Sequence, residues 1–464
     1  MTEMNGASSC VRGGLAALAL AAATGSASAQ ALDFVVFVHD QTPDVIYRLA
    51  DLNGDGDCHD PGELTIFIDD ADPLLGIDNA QGLVALGPNE ILATDNFEPD
   101  NILRLRDDNN DGDALDPDEA TVFFDGVVAP GVTLVNPTDL FEADDGSFWF
   151  VEANIGSDPL PPSFVYRLED TTMDGDANDP GELTGVFQFT PAGVNGPTIF
   201  DVVTDADDNI YVFDFTDPAN IESIDIIDAA GTARTEWLGS QTLFALTNTY
   251  VLEGTYELEI DEATGIVYFS PDRFATGSPT ALMGAFDANG SGDINSASEL
   301  IVYFDETLSA EGLSIGSFRD FKQLPDGSFV ATDAGQDKVY LLRRVNGDAD
   351  FNDAGEIRVL YDSDIAELNG LPRLILPLSI DAAMTEPGPM ACSPADVTTT
   401  GLPSGVPDGV VDLSDFSFYL SLWAATDPAA DLTSDGVCDV NTPDLMVTLS
   451  DFSCYLSLWS AGCP

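Results

Sequence analysis

The chain has 464 residues, room for one large domain and one small one, and sets 82 acidic against 14 basic side chains, a formal charge of −68. Such a surface repels nucleic acid and anionic membranes, attracts divalent cations and stays hydrated in a salty medium. With 44% apolar and 9% aromatic residues, the composition excludes a disordered acidic chain. Residues 1–29 read as an export signal: Arg12 precedes an apolar stretch from Leu15 to Ala23, and Ala27-Ser28-Ala29 offers a small-residue cleavage site. No later stretch approaches the ~20 apolar residues of a membrane span. The mature chain is therefore expected to be secreted or displayed at the cell surface. Cysteine placement agrees with export. Cys10 leaves with the signal and Cys58 is isolated, while Cys392, Cys438, Cys454 and Cys463 cluster near the C-terminus, as in a small disulfide-stapled module.

From residue 30 the chain repeats. "DLNGDGDCHDPGE" at 51–63 returns as "DDNNDGDALDPDE" at 107–119, "DTTMDGDANDPGE" at 170–182, "DANGSGDINSASE" at 287–299 and "RVNGDADFNDAGE" at 344–356. A worn copy, "DAAGTARTEW", lies at 228–237. Before these loops come alternating runs such as "VIYRLA", "NILRLR" and "FVYRLE"; after them come runs such as "LTIFID", "ATVFFD" and "IRVLYD". Strand, acidic loop, strand is a hairpin with a long connection. A second, tightly turned pair precedes each hairpin, as in "DLFEADDGSFWFVEAN" and "DFKQLPDGSFVATDA". Four antiparallel strands every 55 to 63 residues make a propeller blade, and six are counted. The first begins at its second strand, so "LPLSIDAAM" at 376–384 is expected to supply its inner strand and close the ring. The expected fold is mainly β: a six-bladed β-propeller over 30–385, closed by N- and C-terminal strands of one blade. This rhythm resembles the NHL-type and gluconolactonase/strictosidine-synthase-type six-bladed propellers.

Alternate positions of a tight acidic loop point inward together, and Ca²⁺ takes six to eight oxygens. The first copy offers Asp51, Asn53, Asp55, Asp57, Asp60 and Glu63; the second offers Asp107, Asn109, Asp111, Asp113, Asp116 and Glu119. The third offers Asp170, Asp174, Asp176, Asp179 and Glu182, with Thr172 in place of the amide. At 287–299 a serine replaces one acid and leaves Asp287, Asn289 and Asp293. Asp, Asn and Gly also form turns without any ion, but repetition favours calcium in these four loops. In the fifth copy Arg344 takes the first ligand place as a built-in cation, so no metal is expected there.

On the opposite face, Asp139, Asp201, Glu257 and Asp320 begin inner strands at equivalent positions, and Glu152 and Asn154 lie at the end of a second strand. The resemblance to lactonase-like propellers implies that such residues hold a central divalent ion able to polarise a carbonyl. The alternatives are a solvated acidic funnel, or aspartates that cap strand ends.

After a Pro-rich linker, 386–394, the character changes. "DGVVDLSDFSFYLSLW" at 408–423 is echoed by "DLMVTLSDFSCYLSLW" at 444–459, each placing apolar residues on one face of a short helix. Two loop–helix halves over 395–464 resemble a small α-helical dockerin-like domain, more narrowly the GC-type tails of secreted planctomycete proteins. The resemblance implies calcium at Asp408, Asp412 and Asp415, or disulfides in its place, and a protein partner or cell-surface receptor. Thr448 departs from the pattern in the second loop, where the first has Asp412.

Two functions remain open. The first is a secreted, calcium-binding propeller that binds an extracellular ligand or partner and is anchored by its tail. The second is a metal-dependent hydrolase, lactonase-like or carbohydrate-related, on the same propeller. Ligands converging on an open ion at the channel mouth favour the hydrolase; a funnel without convergence favours the binder.

Overall fold

In a computed structural model of the chain, the described residues are 32–385, less 71–76, 78, 97–99, 127–133, 135, 154–161, 190–197, 216–221, 253–256, 272–278, 314 and 347, together with 433–434, 437–438 and 452. The export signal, the linker, Asn154, Asp408, Asp412, Asp415 and the pairing of the four C-terminal cysteines lie outside them.

Each strand quartet forms one four-stranded antiparallel sheet, and six such sheets make the propeller. From the axis outward, blade 1 runs Pro377–Met384, Phe34–Asp40, Val45–Ala50 and Leu64–Asp69. Blade 2 runs Leu83–Gly87, Glu90–Asp95, Asn101–Arg106 and Ala120–Asp125; blade 3 runs Pro137–Glu142, Phe148–Glu152, Phe164–Leu168 and Leu183–Gln188. Blade 4 comprises Ile199–Thr204, Ile210–Asp214, Ser223–Ile227 and Arg234–Gly239, and blade 5 Leu258–Asp261, Ile266–Phe269, Ala281–Ala285 and Leu300–Asp305. Phe318–Gln323, Phe329–Asp333, Lys338–Leu342 and Ile357–Asp362 complete blade 6. The ring closes where the repeat requires it: Val35 stands opposite Ala383 and Val38 opposite Ile380.

Second strands such as FVVFVHD and FWFVE are buried at every position. A blade is covered on both faces by its neighbours, so near the axis no face is left for solvent and in/out alternation disappears. The hydrophobic clusters are accordingly shared between blades. Val36, Tyr47, Val330 and Leu341 join blades 1 and 6, and Val35, Ile68, Ile91 and Leu105 join blades 1 and 2. Each such side chain contributes about 1.5–3 kcal/mol on burial. The described residues are mainly β, as expected, and the helices expected at 408–423 and 444–459 lie, but for Phe452, outside them. Short helices Ser240–Thr247 and Ser363–Asn369 lead out of blades 4 and 6. The second starts because the Asp362 side chain accepts the Asp364 N–H, and stops at Gly370 with φ 77°.

The acidic loops staple blades together. Every outermost strand carries a bulge. In five blades its carbonyl accepts the N–H of the eighth residue of the next blade's loop: Ala114 to Phe67 (2.7 Å), Ala177 to Phe123 (2.8 Å), Ile294 to Trp237 (2.8 Å), Phe351 to Tyr303 (2.7 Å) and Cys58 to Leu360 (2.8 Å). These eighth residues are all buried. The ninth adds a second staple: Asn178 Oδ1 accepts the Asp125 N–H at 2.8 Å, Asn352 Oδ1 that of Asp305 at 3.0 Å, and His59 Nε2 that of Asp362 at 2.7 Å. Phe351 is the largest plug, packed against Phe329 and under Arg344. Phe351→Ala is expected to cost about 3–5 kcal/mol in urea unfolding; a loss below about 1 kcal/mol would separate the loop from seam stability.

Candidate metal centre

In blades 1, 3, 4 and 6 a bulge at the start of the inner strand sets Ser379, Asp139, Asp201 and Asp320 at one level around the axis. Gly82 and Glu257 stand immediately before the paired residues Leu83 and Leu258 at the same level in blades 2 and 5. The acids reach across to the next blade. Asp139 Oδ2 accepts the Val202 N–H at 3.0 Å, Asp320 Oδ2 that of Ile380 at 2.6 Å, and Asp201 Oδ2 that of Leu258. Ser379 Oγ donates to the carbonyls of Ala80 and Gln81. Gly82 bears no side chain because a Cβ there would lie 2.5 Å from the Leu140 backbone nitrogen. Two residues further along each strand, on the same side, a second ring contains Glu259, Lys322 and Asp381. Lys322 Nζ lies 3.2 Å from Glu259 Oε2, and Asp381 Oδ2 accepts the Ala85 N–H at 2.9 Å.

The solvated funnel is not what forms. Asp139, Asp201, Glu259, Asp320 and Asp381 are all buried, and Asp201 is fully so. Burial, then neighbouring carboxylates, pushes Asp201 and Glu257 well above the usual carboxylate range. Asp320 is driven up chiefly by burial, and Glu259 to about 7 by burial against the pull of Lys322. Burial opposes the Lys322 charge, but Asp381 and Glu259 outweigh it and hold the ammonium protonated. Asp139, Asp201 and Glu257 each bring an oxygen within 4.8 Å of the others. Asp201 is hydrogen-bonded carboxyl to carboxyl with Asp139, and its Oδ1 meets no N–H or hydroxyl donor among the described residues. Oxygens on opposite sides of a Ca²⁺ ion lie roughly 4.6–5.2 Å apart, so the three carboxylates fit a hard divalent cation. Two small cavities flank them: one of about 30 Å³ toward the strand starts, lined by Glu257, Asp320 and Arg319, and one of about 20 Å³ between the rings. Each is large enough for one or two waters.

The other expected residues go elsewhere. Glu152 Oε1 accepts the Asn136 N–H at 2.8 Å and so ties down the incoming inter-blade segment, as Asp40 does with Ile375 and Leu376. In the rim loops the first and last acids hold the loop's own amides. Asp51 takes Gly54 and Gly56, Asp107 takes Asp111 and Gly112, Asp170 takes Gly175, and Asp287 takes Ser291 and Gly292. Glu63, Glu119 and Glu182 are buried on loop N–H groups. Asp55, Asp60, Asp111, Asp116, Asp174, Asp179 and Asp293 stay exposed, with Asp57, Asp113 and Asp176 half-buried. The Asn53 amide nitrogen stands 3.2 Å from Asp55 and 2.5 Å from Asp60, and Asn109 bridges Asp111 and Asp116 in the same way. Asn289 donates to Glu299.

The fifth loop corrects the role given to Arg344. Its guanidinium lies over the rings of Tyr303 (5.4 Å) and Phe351 (5.2 Å), so aromatic stacking takes it up instead of the loop's carboxylates. Asp348, Asp350 and Glu356 of this same loop bring oxygens within 4.8 Å of one another. Sequence reading also missed the second ring; the period-2 step from Glu257, Asp320 and Ser379 was the signal that leads to it.

No family model and no curated protein matches the chain. Among solved structures it is similar to a Bacteroides uniformis protein named as a candidate 6-phosphogluconolactonase, at 11% identity and TM-score 0.42, covering 75% of this chain and 99% of that one. A candidate gluconolactonase is similar at 17% identity and TM-score 0.37, covering 65% and 82%. An auxiliary nutrient binding protein of Bacteroides thetaiotaomicron is similar at 10% identity and TM-score 0.37, covering 61% and 57%. Likeness at this level carries no argument about activity.

Proposed function

We propose that this chain is a secreted, cation-binding β-propeller acting as a ligand- or partner-binding module, anchored or displayed through its C-terminal dockerin-like domain. The observation that supports the cation is the convergence of the Asp139, Asp201 and Glu257 carboxylates within 4.8 Å in the channel. The enclosure of that point, flanked by cavities of only about 30 and 20 Å³, favours a closed, structural ion over the open one that a hydrolase needs. An all-carboxylate set suits a hard ion, calcium above zinc. The exposed carboxylates of the rim loops at 51, 107, 170 and 287 are further calcium candidates, weaker because the first acid of each loop is spent on loop amides.

The test is calcium titration calorimetry on the chelator-treated mature protein. Asp201→Asn keeps an acceptor for the Leu258 N–H and is expected to remove one site; Asp55→Ala with Asp111→Ala removes rim sites independently. An unchanged isotherm in Asp201→Asn would eliminate the channel as the site.

The second reading, a metal-dependent hydrolase, is favoured by the same convergence, since a bound ion with a water ligand can polarise a carbonyl. Against it, the flanking cavities of about 30 and 20 Å³ admit water but not a lactone ring. Calcium-dependent turnover of D-glucono-δ-lactone that Asp201→Asn abolishes would put the hydrolase first.

A further inference from the structure

Five inter-blade seams are closed by an acidic loop, and the seam between blades 3 and 4 is not. In blade 4 the third and fourth strands are joined by the short turn 228–233, tied by Asp228 to the N–H groups of Thr232 and Ala233. No N–H of the turn takes the bulge carbonyl of Val186; Gly231 instead sits so close that a Cβ there would lie 2.4 Å from that oxygen. Beside this contact is a groove of about 320 Å³ lined by Asp145, Trp149, Arg167, Thr184 and Ala229, a volume within the range of ligand sites.

The side chains that grip a loop at other seams are present here without one. Thr65 Oγ1 donates to the Gly112 carbonyl at 3.0 Å, Arg104 Nη1 to that of Gly175 at 3.1 Å, and Arg358 Nη1 to that of Gly56 at 2.9 Å. Register makes Arg167 and Thr184 the counterparts of these groups: Arg167 faces Thr184 as Arg48 faces Thr65 and Arg104 faces Thr121. Even the bracing acid is repeated, since Arg104 Nη2 pairs with Glu90 at 2.5 Å and Arg167 Nη2 with Asp145 at 2.7 Å. Arg167 also lies over the Trp149 ring at 5.9 Å, which fixes its direction. Among the described residues neither Arg167 Nη1 nor Thr184 Oγ1 meets an acceptor.

We propose that this groove is a docking seat for a peptide loop of a partner protein, of the form Gly-x-apolar, as in Gly112-Asp113-Ala114 and Gly175-Asp176-Ala177. The glycine carbonyl of the docked loop takes the donors of Arg167 and Thr184, and its apolar side chain enters the seam. A peptide is the occupant because five loop segments already fill the corresponding place in this molecule, four of them Gly-x-apolar and the fifth Ala349-Asp350-Phe351. A second copy of the chain is not, because its own loops are seated in its own seams. Gly231 covers the Val186 carbonyl, so the grip comes from the carbonyl side of the guest.

The probe is a fluorescein-labelled peptide of residues 107–119, DDNNDGDALDPDE, followed by anisotropy against the full chain in 0.5 M NaCl to screen like charge. Saturable binding is expected, with a scrambled peptide inactive. Thr184→Val and Arg167→Met together should weaken it about tenfold or more, the loss of two hydrogen bonds, one of them charged. Thr184 is exposed, so its single variant keeps the fold if Arg167→Met does not, and is expected to weaken binding about threefold. Absence of saturation at millimolar peptide, or equal affinity in Thr184→Val, would overturn the proposal. So would binding of a neutral oligosaccharide such as cellotetraose, in place of the peptide, that Thr184→Val reduces.

Discussion

Deletion of residues 376–464 is expected to turn the propeller into an aggregating chain, while deletion of 392–464 leaves a soluble monomer. The shorter chain lacks Pro377–Met384, which pairs with Phe34–Asp40 along its length. It loses the donors and acceptors opposite Val35 to Val38, and it loses Asp381 and the Ile380 amide that tie blade 1 to blades 2 and 6. Phe34–Asp40 is buried at every position, so the exposed edge is long, apolar and flat, the kind that pairs with other chains. The longer chain keeps all of this, down to the Thr385 N–H on Asp33. Size-exclusion chromatography of both decides it. A cooperative, monomeric 30–375 protein would mean that the ring does not depend on its closing strand.

In chelator, thermal stability is expected to fall between pH 6 and pH 8, and millimolar calcium is expected to abolish the fall. Apart from Glu262, which burial and the neighbouring Asp144 raise to about 7, exposed carboxylates are ordinarily ionised by pH 6. The trend therefore reports mainly the channel, and a Glu262→Gln background removes the exception. A buried acid whose folded pKa is raised is protonated in the native state while the unfolded chain has lost its proton. Its contribution to stability is present at low pH and is lost as pH rises through the folded value. Glu259, raised from 4.5 to about 7, puts part of that loss between pH 4.5 and 7, worth about 3 kcal/mol. Asp201, Glu257 and Asp320 are shifted in the same direction. At an effective dielectric of 20, two charges 4.8 Å apart repel by about 3 kcal/mol, and a divalent ion between them reverses that sign. Asp201→Asn should therefore flatten the alkaline fall in chelator and lose most of the calcium response.

His39 acts at the other end of the scale. It is fully buried, with Asp44 4.0 Å away and no hydrogen bond to either ring nitrogen, and burial pushes its pKa down to about 3. Its contribution is present above its ordinary value of 6.5 and is lost as pH falls toward 3. Above pH 4.5 the falling contributions of Glu259, Asp201, Glu257 and Asp320 outweigh the rising one of His39, so maximum stability without calcium is expected near pH 4.5. A metal-free protein equally stable at pH 6 and pH 8 would mean that the channel acids are not strained.

The blade count, the closing strand and the first ring of acids were legible in the sequence because each rests on a short-range period. Strands alternate every two residues, turns return at fixed offsets, and Asp139, Asp201, Glu257 and Asp320 hold the same place in the repeat. Composition alone supplied the expectation that the chain repels nucleic acid and attracts cations. What those acids do was decided only in three dimensions. The oxygen that Asp320 spends on Ile380 or Asp201 on Leu258 is committed across a seam, between residues some sixty apart, and no local pattern records it. The same holds for the rim. A loop reading D-x-N-x-D-G-D looks self-contained, but its eighth residue belongs to the blade before it, and Arg344 belongs to two aromatic rings rather than to the carboxylates beside it in the chain. Periodicity specifies which residues share a level; the close packing of neighbouring blades specifies what each residue meets there.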